Sequence, residues 1–190
     1  MMRKAIIIDD KKNRQDRFIG EDAVKKLSSI NGVFFSYDLK HPQAYDSYDL
    51  IAVHRSLLVD NKVLATFIEY CKNRKKYLVT FSGNVTKDTY NSDSYIELNS
   101  KTFYHFGRLY EFLCGFCEKD EEVHLLRLVY GTNWKLPFLV EYNHLKWQYG
   151  DAMPDKIQER LFDLEDIIGS QFANDDKRRN QEIENLKNQM

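Results

Sequence analysis

A chain of 190 residues that is 43% hydrophobic and 14% aromatic can bury a core, and it is too apolar to be wholly disordered. A formal charge of −1 supplies no global field toward nucleic acid or anionic lipid. The longest apolar runs fall far short of the roughly 20 residues a membrane helix needs. The opening apolar run is also shorter than a signal-peptide core of about 7–15 residues. With three cysteines, Cys71, Cys114 and Cys117, the composition predicts a cytoplasmic protein in a reducing compartment, binding neither membrane nor nucleic acid.

Residues 4–10 are an apolar run closed by Asp9 and Asp10, as in a central parallel strand with its chemistry at the carboxyl end. Phe18, Ile19, Ala23, Val24, Leu27 and Ile30 recur at helical steps and predict one helix over residues 15–30, stopped at Asn31-Gly32. Strands follow at 33–37, 49–53 and 76–81, with a helix over 60–73 and a short fifth strand at 95–98. The polar segment 84–94 has no apolar periodicity and reads as a loop or a single turn. Residues 102–117 read as a helix holding Cys114 and Cys117 on or near its buried face, as core thiols rather than redox or zinc ligands.

Alternation of strand and helix predicts an α/β fold: a flavodoxin/CheY-like, doubly wound, five-stranded parallel sheet spanning residues 1–118. In such a sheet the site lies outside the carboxyl ends of the first and third strands, where Asp9, Asp10 and His54 would meet.

Residues 119–190 read as a helical extension. Val123 to Tyr130 form a buried element ending at Gly131, and Pro137 opens a helix ending at Gly150 with Leu136, Leu139, Val140 and Trp147 on one stripe. From Pro154 onward, Ile157, Leu161, Leu164, Ile168, Ile183 and Leu186 fall at coiled-coil-like steps, which makes a homodimer through this tail an option. The aromatic stretch holding Trp134, Tyr142, Trp147 and Tyr149 is the first choice for a contact surface, with packing of those rings as the alternative. The basic clusters at 72–76 and 177–179 have acidic neighbours and read as solvated helix ends.

Two stretches carry a resemblance. Ile6-Ile7-Ile8-Asp9-Asp10 and Asp49-Leu50-Ile51-Ala52-Val53-His54 resemble the first and third strands of response-regulator receiver domains. The likeness covers about residues 4–101. It implies that Asp9 and Asp10 match the acidic pair that holds Mg²⁺ in that family. Ser82-Gly83 would match the hydroxyl-small pair that contacts the phosphoryl group, and Tyr95 the aromatic switch. The departures are as informative: His54 stands where the family has its phosphoacceptor Asp. Leu98 and Asn99 stand where it has Lys and Pro, with Lys101 three residues late. The chain thus resembles a pseudo-receiver whose degenerate pocket comprises Asp9, Asp10, His54, Ser82 and Lys101.

The resemblance implies a phosphorylation-independent regulatory module acting on an unidentified protein partner, with no catalytic residues and no cofactor except Mg²⁺ as an option at Asp9 and Asp10. The alternative is a metal-dependent hydrolase or phosphatase using Asp9, Asp10 and His54. Read by themselves, the two Asp also fit a helix cap, and a lone His fits a phosphohistidine, a metal ligand or a packed strand-end residue.

Overall fold

Four consecutive apolar residues, Ala5–Ile8, form β1 inside a sheet in the computed structural model, which describes residues 2–119, 123–150 and 153–188. The chain divides into two compact units, Met1–Gly131 and Thr132–Met190.

In the first unit β1 is followed by α1 (Lys12–Ile19), α2 (Glu21–Ser28), β2 (Val33–Ser36) and β3 (Leu50–His54). Next come α3 (Asn61–Asn73), β4 (Tyr77–Ser82), β5 (Thr89–Ser92) and β6 (Tyr95–Asn99). The unit closes with α4 (Ser100–Phe103), α5 (Phe106–Leu113) and α6 (Arg127–Tyr130). The single helix expected over 15–30 is two helices, because Gly20 at φ 82° takes a conformation closed to most side chains and turns the chain between them. The helix expected over 102–117 is likewise broken, into α4, α5 and a π-turn at Cys114–Glu118.

The described residues form a six-stranded sheet in the order β2-β1-β3-β4-β6-β5, parallel throughout except for β5. On one face Ile6, Ile8, Ile51, Val53 and Leu78 pack with Tyr45, Leu58, Phe67 and Cys71. The alternate residues Ala5, Ile7, Leu50, Ala52 and Val79 are equally buried, so both faces of the central strands are covered.

The sixth strand corrects the reading of 84–94 as a loop. β5 pairs antiparallel with β6 on the sheet edge, and polar bonds hold it rather than apolar packing. Asp88 accepts from the Asn99 backbone N–H at 2.6 Å and from the Thr102 hydroxyl at 2.9 Å, and the Asn99 side chain donates to the Val85 carbonyl. Lys76 also departs from expectation. It is buried rather than solvated, and its ammonium donates to the carbonyls of Asp46 and Tyr48.

The second unit comprises α7 (Leu136–Tyr149), α8 (Asp155–Ile168), α9 (Ser170–Ala173) and α10 (Asp176–Lys187). Pro137 lies in the first turn of α7, as expected. The buried side of α7 is Phe138, Leu139 and Tyr142, whereas Val140 and Trp147 are exposed, so the stripe expected from spacing is only partly right. Gly169 at φ 91° ends α8 and folds the tail back. In consequence α8 packs on α7 and α9, and α10 packs on the same two helices. Leu161, Leu164, Ile168, Ile183 and Leu186 are therefore buried inside this unit and do not present a seam to a second copy. No helix of the described residues is long and apolar enough to cross a membrane.

Candidate functional site

The carboxyl ends of β1 and β3 bring Asp9, Asp10 and His54 together, with one ligand-type atom from each lying within 4.8 Å of the others. Adjacent parallel strands in register explain this, since Ile8 pairs with Val53 and the next residues, Asp9 and His54, stand at the carboxyl ends of the two strands.

Asp9 is fully buried and its carboxylate is fully engaged. Oδ1 accepts from the Arg14 guanidinium at 2.8 Å and from the Lys11 backbone N–H at 3.2 Å. Oδ2 accepts from the Tyr104 hydroxyl at 2.8 Å. Burial raises the Asp9 pKa, opposed by Tyr104, the Lys11 amide and Arg14. Tyr104 is itself wedged among aromatic rings, stacked on Phe18 and edge-on to Phe81, and its own pKa is raised by that burial and by Asp9.

Asp10 is the open member of the pair. Its Oδ1 lies 3.2 Å from the Arg14 guanidinium and accepts from the Ser56 hydroxyl at 2.8 Å. Partial burial works against the charged form here, but Ser56 and Arg14 outweigh it and the pKa is lowered. His54 is buried edge-on against Phe81, and its Nδ1 accepts the Ser56 backbone N–H at 3.1 Å. An Nδ1 that accepts a backbone N–H carries no proton, which assigns the neutral tautomer with hydrogen on Nε2. The Ser56 hydroxyl lies 2.7 Å from that same Nδ1 and 2.8 Å from Asp10 Oδ1, and its single proton serves one of these two acceptors at a time. Burial first, and then Arg14, push the His54 pKa down to about 4 against the pull of Asp10.

The chemistry follows from what lies between the acids. Arg14 sits between the two carboxylate oxygens that a divalent cation would bridge, and His54 Nδ1 is already taken by an amide. A hard cation needs several oxygens, and both Asp9 oxygens already accept hydrogen bonds, so Mg²⁺ would have to displace Arg14 to bridge the pair. A neutral imidazole also cannot form an acyl phosphate.

The other residues singled out from sequence are dispersed. Ser82 lines the same cleft, but its hydroxyl accepts the Asn84 backbone N–H in a turn. Lys101 is outside that pocket, in a separate depression with Asp88, Asn99 and Thr102, because Asn99 ends β6 and caps α4 one turn earlier. Tyr95 opens β6 with its hydroxyl 3.4 Å from that of Thr80. In the second unit Tyr142 is not surface: it is 1% exposed and donates to Glu165 at 2.7 Å. Trp134 and Tyr149 are half-buried, and Trp147 stands out at 84% exposed. Cys71, Cys114 and Cys117 are free thiols, and burial pushes the Cys117 thiol up to about 11, away from reactive thiolate.

Arg14, Ser56 and Tyr104 complete the site and were not foreseen. Arg14 had a signal, lying four residues after Asp10 on a helical stretch where such acid–base pairs meet. Tyr104 had none, since 95 residues separate it from Asp9. No family model, curated protein or solved structure matches the chain.

Proposed function

We propose that the chain is a cytoplasmic regulatory module, a receiver-like α/β domain that signals by protein–protein contact without being phosphorylated. One observation carries this reading: the Arg14 guanidinium, from the chain itself, bridges Asp9 and Asp10 where a working receiver needs a divalent cation. The strand order β2-β1-β3-β4-β6, with the pocket at the strand carboxyl ends, is compatible with the receiver-type winding that the sequence resembles. His54 adds a second obstacle to phosphotransfer, being neutral, buried and tied to Ser56.

On this reading the acidic pair is permanently ion-paired with Arg14, and contact with the protein partner falls to surfaces elsewhere. Trp147 and Val140 lie seven residues apart on one face of α7 and are both exposed, which suits the anchor of a protein contact. That face replaces the buried Tyr142 in the contact surface expected from the aromatic stretch.

The test is treatment of the whole protein with acetyl phosphate and Mg²⁺, and separately with beryllofluoride. Intact mass and the amide NMR spectrum should be unchanged in both. A phosphoryl mass increment, or beryllofluoride-dependent shifts at His54 and Ser56, would overturn the reading.

A further inference from the structure

The pocket that receivers use for a phosphoryl group opens here into a cleft of about 980 Å³. That is the size of a small-molecule site and far larger than one phosphate ion requires. Its wall is cationic. Lys11, Arg14, Arg17 and Arg55 line it, against Asp10 as the single lining carboxylate. Cations still outnumber carboxylates when Asp9 and Glu97, which pair with Arg14 and Arg55 from behind, are included.

These cations are not equivalent. Arg14 is committed to Asp9 and Asp10, and Arg55 Nε lies 3.4 Å from Glu97. Among the described residues neither the Lys11 ammonium nor the Arg17 guanidinium has an ion-pair partner, and both side chains are exposed at the cleft. Two buried polar groups on the wall are also unmatched. Ser100 is 1% exposed and its hydroxyl has no hydrogen-bond partner, and Arg55 Nη1 is in the same condition. A buried polar group left unmatched is unfavourable, so two on one cavity wall call for an acceptor-rich occupant.

We infer that this cleft binds a phosphorylated small molecule of nucleotide size, held without covalent chemistry. Its phosphate takes charge-assisted bonds from Lys11 and Arg17, and a turn of the buried Ser100 hydroxyl and Arg55 guanidinium toward the cleft adds hydrogen bonds from those two groups. Phe18 forms part of the wall beside Arg17 and gives the organic part of the ligand an apolar surface. Phosphate esters satisfy the donors because each offers several strong acceptor oxygens and a double charge that guanidinium matches in geometry. Asp10 disfavours a ligand phosphate placed directly over the acidic pair, which puts the phosphate on the Arg17–Ser100 side.

This inference deepens the regulatory reading by naming the ligand of the same pocket, and rests on it in one respect, that nothing is transferred to the protein. The experiment is isothermal titration calorimetry of the full chain with ADP, with inorganic phosphate and with adenosine, alongside intact mass after incubation. ADP should bind saturably, phosphate more weakly and adenosine not at all, with no mass change. Added salt should weaken ADP binding. Arg17→Gln and Ser100→Ala should each weaken it about tenfold or more. Neither variant should lower the melting temperature, because Arg17 is exposed and the Ser100 hydroxyl bonds to nothing, so that Ser100→Ala leaves it equal or raises it. Absence of saturable binding by ADP and phosphate, or binding indifferent to both substitutions, overturns the inference and leaves the regulatory reading standing. Binding that leaves a phosphoryl group on the protein overturns the regulatory reading instead.

Discussion

Both units bury charged side chains, and Asp9 in one and Arg179 in the other are held in different ways. Asp9 in the first unit is answered by Arg14, Tyr104 and one amide at the edge of an open cleft. Arg179 in the second unit is 2% exposed and points into backbone. It donates to the carbonyls of Phe172 and Ala173, to Asn143 and to Asp176, and lies over the Tyr142 ring. The Arg179 cluster closes the turn between α9 and α10 and borders no cavity among those described. A buried ion is therefore not by itself a mark of function. What separates Asp9 is the cationic space beside it and the imidazole next door.

The largest effect is expected from removing the inert charge. Arg179→Ala removes the donor that the buried Phe172 and Ala173 carbonyls share and should cost about 4 kcal/mol in urea denaturation. A loss below about 1 kcal/mol would show that the cluster is not a clamp.

The pocket should instead answer to pH. Burial holds the His54 pKa down at about 4 in the fold, against an ordinary value of 6.5 in the unfolded chain, so the unfolded chain binds more protons between those limits. The contribution is complete above pH 6.5 and is lost as pH falls toward 4, by about 3 kcal/mol. Comparison of stability–pH curves for the native protein and His54→Gln isolates this term. Parallel curves across that window would mean the imidazole is not held neutral by the fold.

Removing the single hydroxyl of Tyr104→Phe deprives Asp9 of a charge-assisted bond and should cost about 2 kcal/mol, read from the shift in urea midpoint. Equal midpoints would place Asp9 outside the buried network. At the small end, Trp147→Ala should change stability by less than about 0.5 kcal/mol, as befits an exposed side chain. Thermal melts that show a larger loss would make Trp147 part of the packing and remove it from the contact face.

Legibility in the sequence followed the same divide between apolar pattern and polar bonding. β1 and β3 were readable because continuous apolar runs have few other uses, and their ends located Asp9, Asp10 and His54. β5 was not readable, because Thr89–Ser92 is polar and owes its place to Asp88 and Asn99 rather than to burial. The coiled-coil spacing of the tail was real, but period alone does not say which surface the stripe meets, and Gly169 directs it inward. Within the site, the acidic pair and the histidine stood out as departures from a pattern. Tyr104 meets Asp9 across 95 residues, and the open cleft itself has no sequence signature.

The central claim is that Arg14 stands in the metal's place. Mn²⁺, a cation that accepts both carboxylate and imidazole ligands, tests it by calorimetric titration of the native protein and of Arg14→Ala. The account predicts no saturable binding to the native protein and the appearance of a site in Arg14→Ala, as the two freed carboxylates gain a cation. Tight Mn²⁺ binding by the native protein, abolished in His54→Ala, would contradict it and make the pocket a metal centre.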